Sequence, residues 1–195
     1  MIVMEEILMA NGLAILMPCY LLFCRRKNRE SLYAEDKIYD GMALVNMLGA
    51  LSETIAFLVD GKCFAGSRQL NYISNSLCFI GTVSLGLLWC LYVELRIYRN
   101  YKRIRQKLAL VILPWLVEVF VVLCNLFGSG IMFRISEENV YQRAGGALVG
   151  YLSIMIYFAY SIYLVWHSKK QGINLSFFPV MYFVCLAVTG VFIQM

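Results

Sequence analysis

The chain has 195 residues, of which 61% are hydrophobic and 15% are charged, and its formal net charge is +5. Soluble globular domains use about 45–50% apolar and about 25% charged residues. These proportions exclude a soluble domain that buries its apolar surface in one small core, and they indicate an integral membrane protein.

Six apolar stretches are long enough to cross a membrane. A spanning helix needs about 20 mainly apolar residues, and the stretches run approximately over 4–24, 38–59, 70–95, 108–133, 146–166 and 173–194. No low-complexity tract, long linker or clear repeat divides the chain, so residues 1–195 are predicted to form one domain. The predicted fold class is an all-α integral membrane protein, a bundle of about six transmembrane helices.

The basic residues alternate between successive loops. Thirteen of the 17 Lys and Arg residues fall in alternate loops: Arg25, Arg26, Lys27, Arg29, Lys37, Arg96, Arg99, Lys102, Arg103, Arg105, Lys107, Lys169 and Lys170. The other loops hold only Lys62, Arg68, Arg134 and Arg143. Basic loops face the cytoplasm, so the N-terminus is predicted outside. The chain stops at the end of an apolar run with no charged flank, as a truncated chain would; a seventh helix, if one followed, would return the chain to the cytoplasm, where a soluble output domain could be attached.

Two carboxyl groups are predicted at bilayer depth, where an ionisable side chain costs at least about 2.5–3.5 kcal/mol. They are Glu53 in the second helix and Glu118 in the fourth. Counting from the helix midpoints places Asn46 level with Glu118 and Asn125 level with Glu53, so neighbouring helices would pair each carboxyl with an amide. Two interpretations stay open: a polar ligand or protonation site, or interhelical hydrogen bonds that hold the bundle together.

The third helix carries a polar stripe of Asn71, Asn75, Cys78 and Thr82. The stripe either lines a cavity open to the outside or is a packing face of small and polar residues. In the fourth helix, Pro114 removes a backbone hydrogen bond and permits a kink.

Catalytic and metal chemistry find little support in the sequence. There is no CxxC motif and a single histidine, His167, at the predicted cytoplasmic end of the fifth helix, whereas Cys185 is deep in the next. A Cys–His peptidase needs the two side chains within reach of each other. No GxSxG or HExxH motif is present. The sequence predicts no catalytic residue, no metal site and no cofactor.

The segment from Asn125 to Arg143 resembles a known family. It reads Asn125-Leu126-Phe127 and then Phe133-Arg134-Ile135-Ser136-Glu137-Glu138-Asn139-Val140-Tyr141-Gln142-Arg143. This is similar to the extracytoplasmic loop in the membrane input domains of bacterial diguanylate cyclases (GGDEF proteins) and in the related seven-helix sensor regions of histidine kinases. Their pattern is roughly Phe-x-Ile-x-x-x-Asn-x-Tyr-x-Arg-Gly; here Ala144 separates Arg143 from Gly145.

The resemblance implies a sensory domain in the bacterial cytoplasmic (inner) membrane that relays an external or lipid-borne cue. The output module, such as a diguanylate cyclase, would follow residue 195, and homodimerisation through it is implied. The expected partners are membrane lipids and an unknown small-molecule or lipid ligand. Nucleic acid is not an expected partner.

The residues between the fourth and fifth helices also have the alternation of a short extracytoplasmic β-hairpin. The hairpin would place several polar side chains at the outer mouth of the bundle. The ligand-binding candidates are Asn46, Glu53, Asn75, Glu118, Asn125, Arg134, Tyr141 and Arg143. Two other functions stay open: a small transporter or channel with Glu53 and Glu118 as coupling groups, or a scaffolding membrane subunit.

Overall fold

The structure is a computed structural model that describes residues 2–27 and 34–173. It contains the helices α1 (Ile2–Lys27), α2 (Ala34–Val59), α3 (Ser67–Tyr98), α4 (Tyr101–Val111), α5 (Leu113–Cys124) and α6 (Leu148–Lys170). Between α5 and α6 lie a π-helical turn (Asn125–Ser129), strands β1 (Phe133–Ile135) and β2 (Tyr141–Arg143), and a 3-10 turn (Gly145–Ala147). The predicted sixth helix, 173–194, lies outside the described residues except for Ile173.

Five helical stretches in the described part of the chain are long and apolar enough to cross a membrane. They are Glu5–Cys24, Glu35–Val59, Ser67–Tyr98, Tyr101–Ser129 and Gly145–Lys170. Large apolar side chains cover the outer surface of the bundle; Phe127 is 90% exposed and Leu110 is 79% exposed. Such a large apolar surface is unfavourable in water and favourable against the hydrocarbon of a membrane. The predicted all-helical, membrane-type architecture is therefore confirmed.

The fourth span begins and ends earlier than the predicted 108–133. It starts at Tyr101 and ends at Ser129. Gly128 and Gly130 adopt positive φ angles of 91° and 61°, a backbone conformation that ends a right-handed helix. Residues up to 133 therefore leave the helix and enter β1.

Helix α3 is the centre of the bundle, because it packs against α2, α5 and α6, whereas α1 packs mainly on α2. Successive spans alternate in direction, with α4 and α5 together forming the fourth span. We call the end formed by residues 60–66 and 130–147 the hairpin end. The opposite end, formed by residues 96–107 and 167–170, is the basic end.

A proline in α1 explains the position of one predicted ligand candidate. Pro18 lies inside α1 and has no N–H to donate to the carbonyl of Ala14, four residues earlier. Asn46 on α2 supplies the missing donor, since its Nδ2 lies 3.1 Å from the Ala14 oxygen. Asn46 thus bonds to α1 rather than to Glu118.

The predicted kink at Pro114 is a break between α4 and α5 that a tyrosine bridges. In an unbroken helix, Trp115 N–H would donate to Val111 C=O. Here the hydroxyl of Tyr157 lies between them: it accepts from Trp115 N at 3.1 Å and donates to Val111 O at 3.1 Å. A side chain inserted into the helical hydrogen-bond ladder is a recognised cause of helix kinks.

Tyr157 reaches this break because α3 has no side chain at Gly86. A Cβ added to Gly86 would lie 2.8 Å from Cδ2 of the Tyr157 ring, closer than real contacts allow. The tyrosine is almost fully buried and packs with Val83, Cys90 and Val111. Helices α3, α4, α5 and α6 therefore meet at one side chain near the middle of the bundle.

Candidate ligand-binding cavity

A cavity of about 260 Å³ lies at the hairpin end, lined by residues of α2, α3, α5, β2 and α6. Its charged lining residues are Glu53, Asp60, Glu118 and Arg143. Pockets that bind drug-sized ligands are typically about 300–1,000 Å³ in volume, so this cavity is just below that range. The cavity is therefore of a size for a small organic molecule.

One wall of the cavity is the polar stripe of α3. Asn71, Asn75, Cys78 and Thr82 all line it, as the first of the two interpretations of the stripe predicts. Asn75 Nδ2 donates to Asn71 Oδ1 at 2.7 Å and to Asn71 O at 2.9 Å. These bonds fix the orientation of both amides along the wall.

The hairpin is tied over the cavity by two side chains that the sequence reasoning did not single out as site residues. Asp60, at the end of α2, accepts from Tyr141 N at 2.8 Å and from Asn71 Nδ2 at 3.2 Å. Asn139 is 2% exposed, and its Nδ2 donates to the carbonyls of Val59 and Lys62, both at 2.8 Å. The α2–α3 loop and the hairpin therefore form one hydrogen-bonded unit.

The strands of the hairpin pair antiparallel, with Phe133 opposite Arg143 and Ile135 opposite Tyr141. Phe133 is fully buried. Its ring stacks on Phe79 of α3 at a centroid distance of 5.8 Å and contacts Tyr72 and Tyr141 at 5.6 Å. Aromatic packing thus fixes the hairpin on α3 beside the cavity.

Arg143, the one basic side chain among the described residues that line the cavity, is held by aromatic side chains. Its Nη1 donates to the Tyr151 hydroxyl at 2.8 Å, and its guanidinium lies 5.7 Å from the centre of the Tyr151 ring. Burial raises the pKa of the neighbouring Tyr141 hydroxyl above its ordinary value, although the Arg143 charge opposes the change. Tyr141 is therefore a neutral hydrogen-bonding group at physiological pH.

The deepest charged group of the cavity is Glu118 of α5. Its side chain is 1% exposed, and its Oε1 lies where a Cβ on Gly150 of α6 would approach to 2.9 Å. Among the described residues, Oε2 has no hydrogen-bond partner. Glycine at position 150 thus makes room for a buried carboxyl group whose second oxygen is unsatisfied.

Five of the eight predicted ligand candidates line the cavity: Glu53, Asn75, Glu118, Tyr141 and Arg143. The other three have other partners. Asn46 bonds to α1, and Asn125 Oδ1 accepts from Met132 N at 2.9 Å, where it shapes the turn into β1. Arg134 Nε donates to Gly130 O at 3.3 Å. These three side chains stabilise local structure and do not line the cavity.

A second buried charge lies at the basic end and was not predicted as a site. Glu94 of α3 is 1% exposed. Its Oε1 lies 3.1 Å from Arg103 Nε and 3.8 Å from Lys107 Nζ, and its Oε2 accepts from the Tyr160 hydroxyl at 3.3 Å. The sequence signal was the position of Glu94 one turn before the end of a long apolar helix followed by basic residues. This cluster connects α3, α4 and α6.

Comparison with known protein families, with curated proteins and with solved structures found no match to this chain.

Proposed function

We propose that this chain is the membrane-embedded sensory domain of a bacterial signalling protein, which receives a cue in the cavity at the hairpin end. The observation that carries the proposal is the cavity itself: its charged and polar lining is held at one end of an apolar bundle by hydrogen bonds from two loops. A small number of oriented polar groups in a largely apolar pocket is typical of ligand sites. The resemblance of residues 125–143 to diguanylate cyclase and histidine kinase input domains supports the same function.

The distribution of charge supports the orientation that a sensor needs. Eight of the 17 basic residues fall in the two segments that form the basic end, 96–107 and 167–170, against three, Lys62, Arg134 and Arg143, in the segments of the hairpin end; by the positive-inside rule the basic end faces the cytoplasm. The hairpin end, with the cavity, then faces outward. An external or lipid-borne cue would reach the cavity from that side, and the output module would receive the signal at the other.

The packing of α3 and α6 offers a physical route between the two ends. Both helices line the cavity and meet again at the Gly86–Tyr157 contact in the middle. They meet a third time at the Glu94–Tyr160 hydrogen bond of the basic end. A ligand that prefers one relative position of these helices shifts the equilibrium toward it. Small helix shifts at packed interfaces are a known form of such a switch.

A chimera tests the proposal. One transmembrane helix and a diguanylate cyclase catalytic domain would be appended after residue 195, and cyclic di-GMP would be measured in cells. Tyr151→Ala enlarges the cavity and Cys78→Leu fills it, so each should change the output by about fivefold or more, the lower range of allosteric coupling. Leu110→Ala, at an exposed apolar position, is the matched control.

The comparison is made at equal membrane abundance. If both cavity variants give the cyclase output of the wild type and of Leu110→Ala, the sensory proposal is refuted. In that case the same variants should be assayed for solute uptake in vesicles, because a transporter or channel uses its cavity without an output module.

A further inference from the structure

We propose that the cavity takes a small organic cation with a primary ammonium group, which donates a hydrogen bond to Glu118. The inference rests on the proposed function, since it names the chemical class of the cue. It follows from three features of the described residues: the charge of the lining, the unsatisfied oxygen of Glu118 and the aromatic side chains around it.

The lining carries more negative than positive groups. In the part of the chain that the structure describes, Glu53, Asp60 and Glu118 face one guanidinium, that of Arg143. Asp60 already accepts two hydrogen bonds from the hairpin and α3, and Arg143 is held on Tyr151. Glu53 and Glu118 are therefore the carboxyl groups left to meet a ligand, and they select against an anion.

Glu118 is the group that most needs a donor. Ser153 of α6 lies within hydrogen-bonding reach of the carboxyl group, but Oε2 has no partner in the described residues, and an unsatisfied buried oxygen is unfavourable in an apolar environment. Oε2 has almost no surface open to a water-sized probe, so Glu118 has to rotate toward the cavity that it lines for an ammonium N–H to donate to it and balance its charge. Charge-assisted hydrogen bonds of this kind are among the strongest in proteins.

The geometry favours an organic cation over a metal ion. Within residues 2–27 and 34–173, no group of three His, Cys, Asp or Glu side chains lies close enough together to hold a metal. The lining instead includes Phe57, Phe79, Tyr141 and Tyr151. Aromatic rings attract organic cations through their faces and also bury the hydrocarbon part of an amine. At about 260 Å³ the cavity limits the ligand to a small molecule.

Binding to the purified full chain in phosphatidylcholine nanodiscs tests the inference. Isothermal titration calorimetry would be run with methylammonium, n-butylammonium, n-hexylammonium and benzylammonium, each beside the alcohol of the same skeleton, and with empty nanodiscs subtracted. At least one ammonium should bind saturably, and roughly tenfold or more tightly than its alcohol.

Three variants locate the binding. Glu118→Gln keeps the size of the side chain and removes its charge, so the affinity for the ammonium should fall roughly tenfold or more. Gly150→Ala keeps the Glu118 charge but displaces its Oε1, so it should also weaken ammonium binding. This second variant still tests the inference if Glu118→Gln folds poorly. Glu138→Gln removes one charge from the exposed hairpin turn outside the cavity and should leave the affinity unchanged.

Several results would overturn the inference. They are saturable binding of an alcohol as tight as that of its ammonium, unchanged ammonium binding in both Glu118→Gln and Gly150→Ala, and no binding by any of the four ammonium probes. None of these results bears on the cyclase chimera, in which cavity variants alter output whatever the ligand is. A chimera that responds to Tyr151→Ala together with a failed titration would mean a sensor for a different chemical class.

Discussion

Replacing Asn139 should show how strongly the hairpin is attached to the bundle. This residue is buried and has a φ angle of 59°, in the left-handed region that asparagine tolerates better than most residues. Its Nδ2 makes two hydrogen bonds of 2.8 Å, to the carbonyls of Val59 and Lys62. Its Oδ1 also accepts from Asn71 Nδ2 at 3.2 Å, but that donor keeps Asp60 as an acceptor, so only the two Nδ2 bonds are counted here. Each hydrogen bond contributes about 1 kcal/mol net. Alanine also adds about 1 kcal/mol of left-handed strain.

Asn139→Ala should therefore lower the free energy of unfolding by about 3 kcal/mol, and Asn139→Gly by about 2 kcal/mol, because glycine removes the hydrogen bonds without the strain. The assay is unfolding of the purified chain from mild detergent into a denaturing detergent, followed by circular dichroism. The difference in unfolding free energy between the two variants gives the cost of the left-handed backbone conformation for alanine. The loss in the glycine variant alone gives the contribution of the Asn139 side-chain hydrogen bonds. A glycine variant as stable as the wild type would refute the assignment of the tether to the Asn139 amide.

Three further changes test other parts of the bundle, each by the same unfolding measurement. Gly86→Ala should lower the free energy of unfolding by about 1–3 kcal/mol through overpacking against the Tyr157 ring. Gly49→Ala, which has open space at its Cβ, should leave that free energy unchanged. Equal losses in the two variants would argue against the Gly86–Tyr157 contact. Glu94→Gln should lower the free energy of unfolding by about 2 kcal/mol because it removes the buried carboxylate that pairs with the partly buried Arg103 guanidinium. The ion pair of Glu35 with Arg96 is more exposed, so Glu35→Gln should cost at most about 1 kcal/mol, and the reverse order would contradict the reasoning. Tyr157→Phe should lower the free energy of unfolding by about 1–3 kcal/mol and straighten the α4–α5 break, measurable as a longer distance between spin labels at the far ends of the two helices.

The helices were predictable because each span is a long run of apolar residues, a signal that depends on composition and not on tertiary contacts. The polar stripe of α3 was also predictable, since Asn71, Asn75, Cys78 and Thr82 recur at helical spacing and all line the cavity. Helical periodicity predicts on which face of its helix a residue lies. It does not predict which neighbouring helix packs against that face.

The partners of Asn46 and Asn125 were therefore beyond the reach of the sequence. Depth along the membrane placed each asparagine level with a carboxyl group, but α2 packs on α1 and α3, and each amide meets a backbone group instead. The role of Asn139 was equally hidden, because a loop amide that caps another loop has no periodic signal. Glu118 was predicted from its isolation in an apolar helix. The room that Gly150 leaves for it was not.

The pair formed by Pro18 and Asn46 limits the order in which the two positions can change. Pro18 leaves the Ala14 carbonyl without its helical donor, and the Asn46 amide supplies one from α2. Losing the amide first exposes an unsatisfied carbonyl to hydrocarbon, which costs several kcal/mol, whereas losing the proline first restores the backbone bond. A mutational path through Pro18→Ala and then Asn46→Leu is thus open, and the opposite path passes through a weakened intermediate. The two substitutions are therefore not additive: the free-energy cost of removing the Asn46 amide depends on whether Pro18 is present, because both act on the Ala14 carbonyl.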